Sequence, residues 1–307
     1  MSLRLQGWTA DAARDFGRAE LEFGHDLHTR PMFSDDGLVE VLDRYPRDQL
    51  GVFTMGDDAV VWRTWRRGEA GGLSGEQILR AVAEGRIWLN LRDVNRWLPD
   101  YAALSDELFA AKAAGSPGLK TFKRDVALLI SSPSVQVFYH LDVPLVSLWQ
   151  LRGRKRVWLY PPVAPFVDES QLERIVLRET AEQFAYDPAW DAAARVVDLE
   201  PGRMVTWRQN APHRIENGPV VNVSLSVEFM TPQALLRANM VYGAGVLRRR
   251  AGLAVRHDAA FGPGMLAKAA VARAAKALKL QAAHETRLPV TFRLDQAAPD
   301  RTVDLAA

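Results

Sequence analysis

The fold is decided by the stretch His140-Leu-Asp-Val-Pro-Leu-Val-Ser-Leu-Trp-Gln150-Leu-Arg-Gly153-Arg-Lys155-Arg-Val-Trp158-Leu-Tyr-Pro161-Pro162. Its apolar and β-branched residues alternate over 145–151 and 156–160, which predicts two β-strands, and a third over 135–140 leads into it. Side chains on a strand alternate with period two, so His140 and Asp142 are expected on the same face. The stretch therefore predicts a strand-rich core that carries a pair of metal ligands.

The third ligand predicted for this pair is His213. The chain contains six histidines and no cysteine, so a transition-metal site must use imidazoles and carboxylates, and disulfides and cysteine nucleophiles are excluded. Two histidines and one carboxylate on one side of a metal leave coordination positions open, the arrangement typical of non-haem Fe(II) oxygenases. His140, Asp142 and His213 are the predicted metal site.

Strand patterns continue from Asp125 to Met230. Beyond the three strands around His140, the predicted ranges are 126–131, 195–199, 204–208 and 220–230. Several short strands separated by turn residues favour a β-barrel or sandwich over alternating βαβ units. We predict N-terminal α+β elements over 1–120, the β core over 121–231 and a C-terminal helical region over 232–307.

Helix signals lie on both sides of the core. Ser34 and Ser74 are predicted to cap two N-terminal helices, the second through a capping box with Gln77. Strands are predicted over 51–55, 60–65 and 86–91, and helices over 94–114, 168–191, 233–250 and 265–283. A last strand is predicted over 288–294.

Residues 120–230 resemble the JmjC and cupin-like Fe(II)/2-oxoglutarate oxygenases, particularly the branch with the asparaginyl hydroxylase of hypoxia-inducible factor. The motifs that carry the resemblance are His140-x-Asp142, Gln150-x-x-Gly153-x-Lys155, an aromatic strand ending in Pro161-Pro162, the Pro201-Gly202 turn, a strand with Trp207, and Pro212-His213-x-x-x-Asn217. The resemblance implies a mainly β fold with flanking helices, built on a double-stranded β-helix (jelly-roll) core.

The resemblance also implies a mechanism. His140, Asp142 and His213 would bind Fe(II), and Lys155 would bind the distal carboxylate of the co-substrate 2-oxoglutarate, with O2 as the oxidant. The expected activity is hydroxylation of an unidentified protein side chain or small molecule. Val137, Val146 and Glu228 depart from the hypoxia-factor hydroxylase, which argues against the same protein substrate.

The closing strand adds candidates without reference to any family. Asn222, Ser224, Ser226 and Glu228 alternate with apolar residues, so they share one face. Because the strand follows the His213 segment, this polar face is expected to line the same cavity. Its small hydroxyls could bind a carboxylate, with Ser226 preferred over Ser224.

Three other functions remain open from the sequence. One is a metal-binding cupin that catalyses isomerisation or hydrolysis without an oxoacid. The second is a non-catalytic cupin-like binding module. The third is a lyase or demethylase-type variant, in which the same iron chemistry has a different outcome. The pair His25 and His28 is interpreted as a polar loop, and His257 and His284 as solvated.

The charge distribution concerns partners and location. The formal net charge is +2, but residues 237–287 are strongly basic, which leaves contact with nucleic acid or a membrane open. No signal sequence or membrane span is predicted, so a cytoplasmic protein is expected. An apolar stripe over the C-terminal helices suggests a homodimer, formed by Leu235, Leu236, Met240, Val246 and Leu247.

Overall fold

The computed structural model of the chain describes residues 3–280, 288–298 and 300–305. The strands are β1 Leu21–Gly24, β2 Gly51–Thr54, β3 Arg66–Glu69, β4 Trp88–Leu91, β5 Phe122–Ser131, β6 Gln136–His140, β7 Leu145–Arg152, β8 Lys155–Leu159, β9 Arg195–Leu199, β10 Arg203–Thr206, β11 His213–Asn217, β12 Asn222–Met230, β13 Val290–Leu294 and β14 Thr302–Asp304. The helices are α1 Ala10–Asp15, α2 Asp35–Arg44, α3 Gly75–Glu84, α4 Val94–Trp97, α5 Pro99–Gly115, α6 Glu169–Val176, α7 Pro232–Ala251 and α8 Pro263–Ala277.

These strands form two sheets that face each other. The large sheet has the order β1-β10-β7-β12-β5-β4-β2-β3-β13-β14, and the small sheet has the order β6-β11-β8-β9. From β5 to β12 the chain crosses repeatedly from one sheet to the other. The large sheet holds β5, β7, β10 and β12, and the small sheet holds β6, β8, β9 and β11. This is the double-stranded β-helix (jelly-roll) arrangement, so the predicted fold class is confirmed.

Strand alternation divides the apolar residues into separate cores. Val146 and Leu148 of β7 and Val157 and Leu159 of β8 point between the two sheets and form the barrel interior. The alternate residues of the large sheet, such as Trp149, pack outward against α2, α3 and α5. A third core lies behind the small sheet, where aromatic residues pack against α6 and α7.

Local sequence signals explain the helix boundaries. The hydroxyl of Ser34 accepts a hydrogen bond from the Gly37 amide, and Ser74 and Gln77 form the predicted capping box. The helix predicted over 94–114 is interrupted at Leu98, because Pro99 lacks the N–H that a continuous helix needs. The segment 168–191 is only partly helical, with α6 followed by irregular chain and a 3-10 turn at Pro188–Ala193.

Several strand predictions need correction. The strand predicted over 60–65 is wrong: a 3-10 turn occupies Trp62–Thr64, and the partner of β2 is β3. β1 and β11 were not predicted, because both are short and lack a clean apolar alternation. The helix predicted over 265–283 ends at Ala277, and residues 281–283 lie outside the described residues.

The large sheet crosses the three predicted regions. β4 of the N-terminal region pairs with β5 of the core, and β13 of the C-terminal region pairs in parallel with β3. The hydrogen-bonded ladder therefore runs without a break from the N-terminal region to the C-terminal one. The division at 120 and 231 stays a prediction.

Candidate metal centre

The three predicted ligands come together at one end of the barrel. His140 ends β6 and His213 begins β11, and the two residues lie directly opposite each other in the antiparallel ladder. Asp142 lies in the connection after β6 rather than on the strand, and its carboxylate is 3.4 Å from His213 Nε2. One ligand atom from each residue falls within 4.8 Å of the others. The expectation that Asp142 stands on a strand is wrong, but the grouping is as predicted.

Both imidazoles present Nε2 to the centre. Nδ1 of His140 lies 2.7 Å from the Phe138 carbonyl oxygen, and Nδ1 of His213 lies 3.2 Å from that of Ala211. A carbonyl can only accept, so Nδ1 carries the proton in each ring and Nε2 is left as a lone-pair donor. Burial, and then the charge of His140, holds the pKa of His213 well below its ordinary value, so this ring is neutral.

The Asp142 carboxylate completes a donor set that fits a divalent cation. Its side chain is largely buried, and burial raises its pKa. Within the described ranges its one close polar contact is the edge of His213. Two imidazole nitrogens and a buried carboxylate, grouped on one side of a point, match the ligand set that suits Fe(II).

Lys155 lies on the same inner face, at the far end of the barrel. It pairs with Asn217 in the ladder where His213 pairs with Leu159, so four residues of strand, roughly 13 Å, separate the lysine from the metal end. The side chain is buried, and burial lowers its pKa to about 7. Among the residues that the structure describes, no carboxylate or other acceptor pairs with its ammonium group.

The polar face of the closing strand β12 does point into the barrel, but its members differ in availability. Ser224 donates to Gln150 Oε1 at 2.7 Å, and Gln150 Nε2 donates to Asn222 Oδ1 at 2.8 Å. Ser226 is half-buried, and its hydroxyl makes no hydrogen bond within the described part of the chain. The hydroxyl that is free to meet a ligand is therefore that of Ser226.

Acidic side chains surround the metal end. Glu228 of β12 lies near Asp142, and burial together with the Asp142 charge raises its pKa to about 8. Glu182 lies next to Gln183, which forms a bridge with His140, and Glu182 is exposed. Arg92 contacts Glu228 at 3.5 Å. Glu182 and Arg92 carried no motif in the sequence, because their positions depend on the long segment after α6 and on β4.

Among the residues that the structure describes, no other histidine belongs to this centre. Burial lowers the pKa of His25 to about 4, and its Nε2 donates to the Arg203 carbonyl, so the ring is part of the core. The prediction that His257 is solvated is wrong, because its side chain is mostly buried and Nε2 lies 3.2 Å from Glu173 Oε1. His284 lies outside the described residues.

The C-terminal helices use much of their apolar and basic surface internally. Met240 and Val246 are buried within the chain, and Arg248 and Arg249 pair with the buried Glu173. The homodimer and the contact with nucleic acid or membrane stay predictions. Among the residues described, no helix combines the length and apolar character needed to cross a membrane.

Comparison with solved structures shows where this fold occurs. The chain is similar to the X-ray structure of E. coli ycfD, with a TM-score of 0.53 and 18% identity over 91% of this chain and 69% of that chain. It is also similar to the structure of YcfD, a ribosomal oxygenase from E. coli, in complex with cobalt and 2-oxoglutarate, with a TM-score of 0.52 and 17% identity over 96% of this chain and 76% of that chain. No family model and no curated protein matches the sequence. At these identities the likeness shows a shared jelly-roll fold.

Proposed function

We propose that this protein is an Fe(II)/2-oxoglutarate-dependent oxygenase that hydroxylates a protein side chain or a small molecule. The observation that carries the proposal is the grouping of His140, Asp142 and His213, with ligand atoms within 4.8 Å of one another, on the inner face that also holds Lys155. The fold neighbour described with cobalt and 2-oxoglutarate supports the same chemistry.

Lys155 supports an oxoacid in particular. A buried ammonium without a partner is costly, and an anion that enters the barrel would pair with it. The separation of roughly 13 Å between the strand levels of Lys155 and His213 leaves room for the lysine side chain and a short dicarboxylate between them. One carboxylate would meet Lys155, with Ser226 beside the path, while the other end reaches the metal.

The residues would then divide the work. Bound Fe(II), with 2-oxoglutarate and O2, supplies the oxidising chemistry. His140, Asp142 and His213 hold the metal on one side only, Lys155 and Ser226 orient the co-substrate, and the apolar barrel interior excludes water. No general base among the side chains is required.

Binding in the absence of turnover tests the proposal. Under anaerobic conditions, Fe(II) with 2-oxoglutarate should raise the thermal melting temperature, because ligands that bind only the folded state stabilise it by about 2.7 kcal/mol at a hundredfold excess over Kd. Asp142→Ala should abolish the shift. A shift with Fe(II) but none with 2-oxoglutarate would favour a metal-binding cupin without an oxoacid. No shift with either would favour a non-catalytic module.

We also propose that the protein is cytoplasmic and that it forms a homodimer through its C-terminal helices. The departures at Val137, Val146 and Glu228 support a substrate different from that of the hypoxia-factor hydroxylase. Glu182 and Glu228 lie close enough to Asp142 to interact with its charge, so a substrate that reaches the metal end would meet these acidic side chains.

A further inference from the structure

The three ligands differ in how the fold holds them. His140 and His213 belong to paired strands, so the backbone ladder fixes both. Asp142 lies in the connection between β6 and β7, outside the strand ladders of the described residues. Its carboxylate needs another support to stay 3.4 Å from His213.

That support comes from the connection that leads into His213. Asn210 Nδ2 donates to the Asp142 carbonyl oxygen at 3.0 Å, and Gln209 Nε2 donates to the next carbonyl, that of Val143, at 2.9 Å. Both amides are buried, at 2% and 7% exposure for Asn210 and Gln209. Two consecutive peptide groups around Asp142 are therefore held by two consecutive side chains.

The two amides are the central residues of a tight turn over 208–211. The Ala211 amide donates to the Arg208 carbonyl at 3.0 Å, and Asn210 has a φ of 63°. Asparagine is among the few residues other than glycine that adopt this left-handed conformation readily. The Ala211 carbonyl of the same turn accepts the hydrogen bond from His213 Nδ1. One turn thus supports two of the three predicted ligands, Asp142 and His213.

Gln209 extends the arrangement to the C-terminal region. Its Nε2 also donates to the Ala234 carbonyl at 3.0 Å, in the first turn of α7. The Asp142 connection, the 208–211 turn and the start of α7 are joined through this one amide.

We propose that Asn210 and Gln209 are positioning residues for the metal centre, which hold the Asp142 connection so that its carboxylate faces His140 and His213. The inference rests on the proposed function, since it concerns the same ligands. Neither residue contacts the metal position itself. Partners of this kind in other metal sites contribute about 10- to 100-fold in metal affinity.

The test is a cobalt titration of the metal-free protein, followed by visible absorption of the bound ion. Asn210→Gly removes the amide while keeping a residue that adopts positive φ, and Gln209→Met removes the second amide at similar volume. Each variant should bind cobalt about 10- to 100-fold more weakly than the wild type. Asn95→Ala is the matched control. It also deletes a partly buried hydrogen bond between an amide side chain and the backbone, the one that the Val126 N–H donates to Asn95 Oδ1, and this bond lies away from the ligands.

The outcomes separate this inference from the proposed function. If the wild type binds cobalt and 2-oxoglutarate, and the Asn210 and Gln209 variants bind cobalt within threefold of it, the positioning role is wrong while the oxygenase proposal stands. If the wild type binds no cobalt, both fail. Should Asn210→Gly not fold, Gln209→Met alone decides, and a loss of stability without a loss of cobalt affinity refutes the inference.

Discussion

Replacing Lys155 with methionine should change stability and co-substrate binding in opposite directions. In the wild type, the ammonium is buried without a partner in the described chain, and this lowers its pKa from 10.5 to about 7. Methionine has a similar length and no charge, so Lys155→Met removes the cost of burying the amine. The metal-free variant should therefore melt at a higher temperature than the wild type at neutral pH.

The pH dependence follows from the sign of the shift. Because the folded pKa lies below the unfolded one, the unfolded chain binds more protons between about pH 7 and 10.5. The unfolding free energy of the wild type should thus rise with pH across this window, relative to Lys155→Met, by roughly 1.4 kcal/mol for each pH unit. Below pH 7 both states are protonated and the destabilisation is at its full value.

Binding of 2-oxoglutarate should respond the other way. Removing one partner of a buried charge pair costs about 2–5 kcal/mol, which corresponds to a loss of roughly 30-fold to several thousand-fold in affinity. The assay is calorimetric titration of cobalt-loaded protein with 2-oxoglutarate, combined with denaturant unfolding of the metal-free protein at pH 7 and pH 10. Cobalt affinity should stay unchanged.

A second buried lysine provides the control. Lys112 of α5 is also buried, with a pKa lowered to about 7, but its ammonium faces the rings of Phe109, Trp149 and Phe229 on the outer face of the large sheet. Lys112→Met should leave 2-oxoglutarate binding intact. If Lys155→Met and Lys112→Met bind 2-oxoglutarate equally well, Lys155 is a structural residue and the reasoning is refuted.

Two further predictions concern binding and packing. Ser226→Ala should weaken the binding of 2-oxoglutarate, measured by calorimetry, with little effect on stability. Ser224→Ala should instead lower the unfolding free energy, measured in urea, by about 1–3 kcal/mol, because it leaves Gln150 Oε1 without its donor. The reverse pattern would contradict the assignment of Ser226 to the ligand. Gly243→Ala should destabilise the contact between α7 and α8, because a Cβ there would lie 1.9 Å from the Lys268 carbonyl oxygen; a urea midpoint equal to that of the wild type would contradict this close packing.

Much of the β core could be predicted from the sequence, because the patterns that mark its strands are local. Alternation over β7 and β8, together with the Gly153 turn between them, needs no distant contact to be recognised. β11 was missed because His213–Asn217 is polar and short, and it becomes a strand only through its partners β6 and β8. Strand identity there is a property of the assembled sheet.

The site shows the same limit. The metal triad was predicted from the His140-x-Asp142 motif and a later histidine, and Lys155 from the family resemblance, whereas the difference between Ser224 and Ser226 depends on Gln150, which belongs to another strand. Glu182 and Asn210 carry no pattern, since their roles come from where long connections fold. His257 was misjudged because its partner Glu173 is 84 residues away in the chain.

The central claim is tested most directly by measuring succinate formed from 2-oxoglutarate with Fe(II) and O2. The wild type should convert 2-oxoglutarate to succinate in an iron-dependent manner, slowly even without the substrate that is hydroxylated. Asp142→Ala should form no more succinate than Fe(II) forms in the absence of protein. If the wild type, shown to be folded, also forms none above that level, the protein is not a 2-oxoglutarate oxygenase.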